Sequence, residues 1–308
     1  MSTVATPAPV PRRRRRRTKL QRRQTRLGWL LLVPSLAVVA FVAIYPLAKT
    51  VYQSFTDEEF LGLTPTKWVG FDNYHALIDD TIFRDTVVLT LKFTAITVGF
   101  EFVLGLIIAL VVNSGFRGRG VMRAVMLVPW AIPTVVAAQM WKWMLDDTYG
   151  VINDLGVRTH IIAHSHAWIS DPATSLASVC AVDIWKTTPF VALLLLAGLQ
   201  VIPNDLYEAA SVDGANKLQQ FWRITLPLLR PAILVTLIFR TLDALRVFDV
   251  FQVFFGYRLG AQSMAVYDQS TTVNDGHVGY GASMSVAIFL IISLFVVIYV
   301  TFVRVSEE

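Results

Sequence analysis

The chain has a single cysteine among its 308 residues, Cys180, which rules out any internal disulfide. Charge is nearly as scarce: 16% of residues are Asp, Glu, Lys or Arg against 55% apolar ones, and mean hydropathy is +0.55. Soluble domains carry roughly 25% charged residues, so an ordinary water-soluble fold is excluded. Catalytic signatures are missing as well. The sequence has no H-E-x-x-H, no G-x-S-x-G and no G-x-x-x-x-G-K-[ST]. That removes zinc-protease, serine-hydrolase and phosphate-loop ATPase chemistry from the chain's own repertoire, and if ATP drives this protein, another chain hydrolyses it. Metal ligands are sparse too. His160, His164 and His166 form the one histidine cluster; helical i, i+4 spacing could present the first two to an ion, but a loop cluster of this kind reads as solvated.

What the chain does have is apolar length. Six segments reach the ~20 residues needed to cross a hydrocarbon core ~30 Å thick: 27–51, 87–112, 121–145, 176–201, 228–251 and 282–303. Backbone polar groups find no water at that depth, so each segment predicts a helix. The fold class is therefore an all-α integral membrane protein with six transmembrane helices. Cys180 falls inside the fourth segment as a small buried apolar residue. Gly99 and Gly105, in the second, read as points of close helix packing.

Basic residues set the orientation. Seventeen Lys and Arg flank the start of the first segment, the second and fourth connections and the end of the sixth; the alternate stretches 53–85, 146–175 and 252–281 hold only Lys67, Arg84, Arg158 and Arg258. Both termini are expected in the cytoplasm. Residues 1–26 read as a basic, disordered cytoplasmic tail, 27–303 as the transmembrane domain and 304–308 as a second short tail. Ahead of a membrane segment, the run Arg12 to Arg17 points to anionic lipid headgroups, at roughly 1 kcal/mol per basic residue, and not to nucleic acid. The first segment exceeds the apolar core of a signal peptide and no A-x-A site follows, so it reads as an uncleaved helix.

Between the fourth and fifth segments, residues 201–227 form a polar interruption with much apolar surface. Pro203 ends the fourth segment, Asn204 or Asp205 can cap a short helix, and Asp205 and Glu208 have capping-box spacing. A structural cap is thus one reading of Glu208. Ala209 and Ala210 allow close approach of another protein. Gly214 takes positive φ without steric cost and turns the chain into a second helix over 216–222. Leu206, Tyr207, Val212, Leu218, Phe221 and Trp222 need covering, either by the membrane surface, as in an interfacial helix pair, or by a groove on a partner.

The order Glu208, Ala209, Ala210, Gly214, Ile224, Leu226, Pro227 has EAA-x3-G-x9-I-x-LP spacing and resembles the signature loop of the membrane permease subunits of bacterial ABC importers. The likeness covers roughly residues 29–303. WVGFDNYHALIDD, MLVPWAIPTVVAAQMWKWMLDDTYGVIND, DIWKTTPFVALLLLAGLQVIP and RTLDALRVFDVFQV resemble the sugar-uptake branch, which holds the maltose and glycerol-phosphate permeases. Within that branch the chain looks most like actinobacterial permeases for trehalose and similar disaccharides. It departs where many relatives carry a T-x-GGP turn and this sequence reads FFGYRLGAQSM.

The resemblance implies a type I ABC importer permease fold in the bacterial cell membrane. It implies that the loop docks on an ATPase subunit, a role carried onto Glu208, Ala209, Ala210, Asp213 and Gly214. The implied partners are a second permease subunit, two ATPase subunits, an extracytoplasmic sugar-binding protein, membrane lipid and a sugar substrate. ATP and Mg would be used by the partner subunits, with no cofactor or metal held by this chain. The implied mechanism is alternating access.

Polar side chains inside apolar segments mark the path, because each costs a few kcal/mol unless it faces protein or water. The second segment has Glu101, and the fourth has Asp183, Lys186, Thr187 and Thr188. The fifth has Arg240, Asp243, Arg246 and Asp249 at intervals of three, which on one helix would stack opposite charges as neighbours. Such a ladder is either a packing device or a gate. Trp130, Trp141, Trp143 and Trp185 offer sugar-stacking faces or an interfacial aromatic belt. Trp130 lies deepest, and Pro129 and Pro133 beside it predict a kink. The path or gate candidates are Glu101, Trp130, Trp185, Lys186, Thr188, Asp243, Arg246 and Asp249. Two other classes compete. A secondary transporter usually shows internal repeats with broken helices, and no clear repeat is seen; a membrane scaffold or receptor would need no polar path.

Overall fold

A computed structural model describes residues 19–62 and 64–305. Most of the expected N-terminal tail, residues 1–18, and residues 306–308 of the C-terminal one lie outside it. The described chain is helical, with two isolated antiparallel bridges, Thr56 to Trp68 and Glu59 to His277. It divides into two compact units between Tyr52 and Gln53. The described part of the first is one continuous helix: α1 (Lys19–Val39), a π turn (Ala40–Ile44) and α2 (Tyr45–Gln53).

The second unit contains, in order, α3 (Asp72–Asp79), α4 (Thr81–Asn113), α5 (Arg119–Met126), α6 (Val128–Ala131), α7 (Thr134–Met144), α8 (Val151–Arg158), α9 (Pro172–Leu199), α10 (Asp205–Val212), α11 (Lys217–Gln220), α12 (Leu226–Leu245), α13 (Asp249–Phe255), α14 (Met264–Gln269) and α15 (Val278–Val305). Five stretches are long and apolar enough to cross a membrane as they stand: Arg23–Gln53, Thr81–Asn113, Pro172–Leu199, Lys217–Phe255 and Val278–Thr301. The third expected span, 121–145, is not a single straight helix. Arg119–Ala131 and Thr134–Met144 meet at an angle of 87°. Pro133 explains the break: it supplies no backbone donor and disfavours the α conformation at the preceding residue, and Ile132 is indeed extended, with φ −71° and ψ 132°.

The heart of the second unit is α4 against α9. Near one end Phe93, Val179, Cys180, Val182 and Phe251 are buried together; near the other, Ala109, Val112, Val191, Leu195 and Leu229 are. Gly105 makes the approach possible, since a Cβ there would sit 2.6 Å from Val191 Cγ1. The same role does not extend to Gly99, where an added Cβ meets nothing within 4 Å: the two positions are six residues apart, about 240° of helix rotation, and only Gly105 faces α9.

Polar side chains fasten the ends of these helices. Asp80 caps α4 by accepting from the Phe83 N–H at 3.0 Å, and its other oxygen takes the Tyr267 and Tyr280 hydroxyls at 2.9 and 2.8 Å. Asn153 organises the 146–175 stretch. Its amide donates to the His166 carbonyl at 3.0 Å, while its oxygen accepts from the His166 N–H at 3.0 Å and Trp168 Nε1 at 2.8 Å. The histidines there go to separate partners, His166 Nε2 to Thr174 Oγ1 at 3.3 Å and His160 Nδ1 to the Val157 carbonyl at 3.2 Å.

Candidate functional site

Two places gather the sequence candidates. The first is the loop between α9 and α12. Its turn is built from the backbone: the Ala215 N–H donates to the Ala210 carbonyl at 2.9 Å and the Gly214 N–H to the Ser211 carbonyl at 3.1 Å, a Schellman pattern. Gly214 takes φ +81° as expected, and a Cβ there would touch nothing within 4 Å, so the requirement is conformational and not one of space. The second helix opens with a true capping box, Asn216 to the Gln219 N–H and Gln219 back to the Asn216 N–H, both 2.9 Å. Sequence reasoning missed it, although Asn-x-x-Gln is its signal. The capping box expected at Asp205 and Glu208 is absent. Asn204 is the N-cap and makes no side-chain cap bond, so the Glu208 carboxylate stands exposed and free of the structural duty its spacing offered.

Buried Gln220 braces the two arms, donating to Ser211 Oγ at 2.9 Å and to the Ala215 carbonyl at 3.2 Å. Tyr207 Oη meets Thr225 Oγ1 at 3.0 Å. Glu208, Ala209, Asp213 and Gly214 are exposed on the outside of this braced elbow and Ala210 is half-buried. Val212 is 88% exposed, Leu218 67% and Trp222 59%. That is a rigid, preformed surface with an uncovered apolar patch.

The second place is a cleft of about 170 Å³, lined by Trp130, Thr134, Asp183, Lys186, Thr187, Arg240, Asp243, Arg246, Phe248 and Asp249 among others. It sits where two spans lose their helical backbone: at Ile132 and Pro133, between α6 and α7, and at residues 246–248, between α12 and α13. Irregular backbone at membrane depth is tolerated where it lines a cavity or is buried in protein. α13 packs on α7, and Lys142 Nζ donates to the Val253 carbonyl at 2.7 Å, which ties together the helices that follow the two breaks.

Arg240 closes the cleft floor. Its Nη2 bonds Glu101 Oε1 at 3.0 Å and also Asp183, Nε bonds the second Glu101 oxygen, and Nη1 reaches Asp243 Oδ2 at 2.7 Å. Arg240 and Glu101 are 2% and 0% exposed, whereas the Asp243 side chain is 70% exposed. Of the charge ladder expected along one helix face only the first rung, Arg240 to Asp243, is formed. α12 ends at Leu245, Arg246 leaves the helix with φ −102° and ψ 18°, and Arg240 turns its charge across to α4 and α9. Arg246 and Asp249 stand exposed at the cleft. Lys186 Nζ reaches the Trp130 carbonyl at 3.4 Å, and the Trp130 ring stacks on Phe190, centroids 5.6 Å apart and 9° from parallel.

Of the path candidates, Trp130, Lys186, Asp243, Arg246 and Asp249 meet at the cleft, and Glu101 lies behind it through Arg240. Trp185 does not; it packs edge-on against Trp141 at 5.4 Å. Thr188 is buried in α9 away from the lining. Thr134 and Phe248 were not singled out from sequence, though Thr134 follows the Pro133 break directly.

An elbow with an uncovered face and a polar cleft at paired helix breaks are the parts of a transport subunit. Residues 101–307 match the family described as binding-protein-dependent transport system inner membrane component. The chain belongs to that family. It is 39% identical over 294 residues, 94% of this chain and 98% of the relative, to the trehalose/maltose transport system permease protein MalF of Thermococcus litoralis. It is 38% identical to the sulfoquinovosyl glycerol transport system permease protein SmoG of Agrobacterium fabrum, with 91% of each chain covered. In fold it resembles a chain of a bacterial ABC transporter involved in the import of the acidic polysaccharide alginate, with a TM-score of 0.80, 22% identity, and coverage of 93% of this chain and 99% of that one. The chain is thus an inner-membrane permease with the type I importer fold.

Proposed function

We propose that the chain is one of two permease subunits of an ATP-driven sugar importer, with a disaccharide of the trehalose or maltose kind as substrate. The observation that carries the reading is the braced elbow with its exposed Glu208, Ala209, Asp213, Gly214, Val212, Leu218 and Trp222. Helix-in-groove docking covers such a surface, and the chain has no phosphate loop of its own. Two ATPase subunits, which bind ATP and Mg, take the elbow on the cytoplasmic side, where both termini also lie. An extracytoplasmic binding protein delivers the sugar, in keeping with the family's binding-protein dependence and the sugars in the names of its relatives.

The cleft supports a paired arrangement. About 170 Å³ falls below the ~300–1,000 Å³ of sites that enclose a small ligand, so this wall serves as half of a path that a second permease completes. Its aromatic face and its exposed Asp243, Arg246 and Asp249 suit a polyhydroxylated, uncharged solute. ATP binding closes the motor, the elbow moves with it, and the paired subunits turn outward; hydrolysis resets them.

The test is co-purification in mild detergent. Wild type is expected to bring down an ATPase, and Val212→Glu or Gly214→Val to lose it or to uncouple its activity from sugar. If no ATPase accompanies either protein, and uptake fails with an uncoupler but survives ATP depletion, the chain is a secondary transporter instead.

A further inference from the structure

Cations inside a membrane span are costly unless they face water or an opposite charge. Arg240 has three carboxylates. Lys92 on α4 and Arg258, just beyond α13, have none among the described residues. Both line a single cavity of about 560 Å³, together with Ser170, Ser175, Phe251 and Phe255. This cavity is separate from the cleft and within the ~300–1,000 Å³ range of ligand sites.

The depth of Lys92 makes its isolation informative. A helix of 33 residues is about 50 Å long, so α4 overhangs a ~30 Å hydrocarbon core at both ends. With the apolar segment 87–112 centred in the membrane, Lys92 attaches roughly 11 Å from the centre, within the core but near its edge. Arg258 is fixed by the Phe255 ring, 5.6 Å from its centroid. No carboxylate lines the cavity. Asp147 takes the Ser170 hydroxyl at 2.6 Å, and Asp85 opens to the adjoining hollow.

The start of α9 adds no free donors from its backbone, because Asp171 already takes the amides of Ala173, Thr174 and Ser175. The Ser175 hydroxyl, buried and held only by a 3.4 Å bond to the Pro172 carbonyl, is free to turn to an anion. The rest of the wall is apolar, with Leu89 and Leu176 beside the two phenylalanines. Two unpaired cations, one hydroxyl and an apolar wall at one end of the spans, Lys92 inside α4 and Arg258 just past the Lys217–Phe255 stretch, match an amphiphilic anion.

We propose that this cavity binds the phosphate of an anionic phospholipid, with Lys92 and Arg258 as its counter-charges and the glycerol and acyl chain against Leu89, Leu176 and Phe251. A Lys or Arg near a membrane surface attracts anionic headgroups at roughly 1 kcal/mol each, and two converge here. The full chain, purified with its co-purifying subunits and stripped of lipid, is titrated with phosphatidylglycerol and followed by native mass spectrometry. Lys92→Gln with Arg258→Gln is expected to bind about 30-fold more weakly, the change for two headgroup-facing cations. Lys92→Arg with Arg258→Lys keeps the charge and is expected to bind like wild type. Equal binding by wild type and the glutamine variant overturns the proposal. Competition on wild type alone needs no variant: phosphatidylcholine binding as tightly as phosphatidylglycerol overturns it too. Displacement of the lipid by millimolar inorganic phosphate would assign the site to a soluble anion and sink the lipid source.

Discussion

Arg240 is held from three directions, and the value of each contact follows from its burial. Glu101 is wholly buried with it and takes two of its bonds, so Glu101→Gln leaves the buried guanidinium with only Asp183 and the exposed Asp243 as counter-charges. A loss of ~3–5 kcal/mol is expected, read as thermal or denaturant unfolding in detergent. Asp243 is exposed, and Asp243→Asn is expected to cost no more than ~1 kcal/mol; equal losses would refute this division. Asp268 gives a pH signature outside the spans. Burial pushes its carboxyl up to about 6, against the opposing bonds from Ser285 and Thr272. The folded state then holds that proton more tightly than the unfolded chain, so this group's contribution to stability falls as pH rises from about 4 to about 6. Asp268→Asn is expected to flatten that part of the unfolding profile measured between pH 4 and 7. Each charged residue of the cleft was visible in the sequence as a polar letter in an apolar run. The Arg240–Asp243 pair was legible from its spacing, but the links to Glu101 and Asp183 were not, and the remaining rungs assumed a helix that stops at Leu245 with no Gly or Pro to mark the stop.

At the scale of elements, α4 and α9 meet so closely that one glycine decides the fit. Gly105→Ala puts a methyl into Val191 and is expected to cost ~1–3 kcal/mol by overpacking, while Gly99→Ala, with open space around it, is expected to be neutral or to gain up to ~1 kcal/mol of helix propensity. Unfolding of the two variants side by side checks it, and equal effects would contradict the register. Sequence could place both glycines on one helix but not say which one faces α9, since rotation about the axis is set by tertiary packing. The third span shows the same boundary. Pro133 announced a kink, but the turn of 87° depends on α13 filling the space beside α7. In the elbow, by contrast, the turn at Gly214 was legible because its backbone chemistry is short-range, while the box at Asn216 and Gln219 carried a local signal that went unread and the one expected at Asp205 and Glu208 did not form.

For the whole molecule, composition and periodicity were enough to give the all-helical membrane class, because the bilayer leaves the backbone little choice. What lies at the cleft needed the fold, which joins residues from three distant segments. If the cleft is half of a sugar path, Trp130→Ala removes a stacking face and is expected to raise the half-saturating sugar concentration for uptake about 3- to 10-fold. Trp185→Ala, packed away from the cleft, should change it little; the reverse order would remove Trp130 from the path. The elbow and the cleft also share a mechanical connection. From Lys217, through the π turn and α12, to Leu245 the backbone runs helically for roughly 40 Å. A stiff lever of that length, tilted by about 10° at its base, swings its far end through ~7 Å, on the scale of a sugar ring. If a motor grips the elbow as proposed, a small rotation imposed there arrives, enlarged by the lever's length, at the point where the helix stops and Arg246 begins.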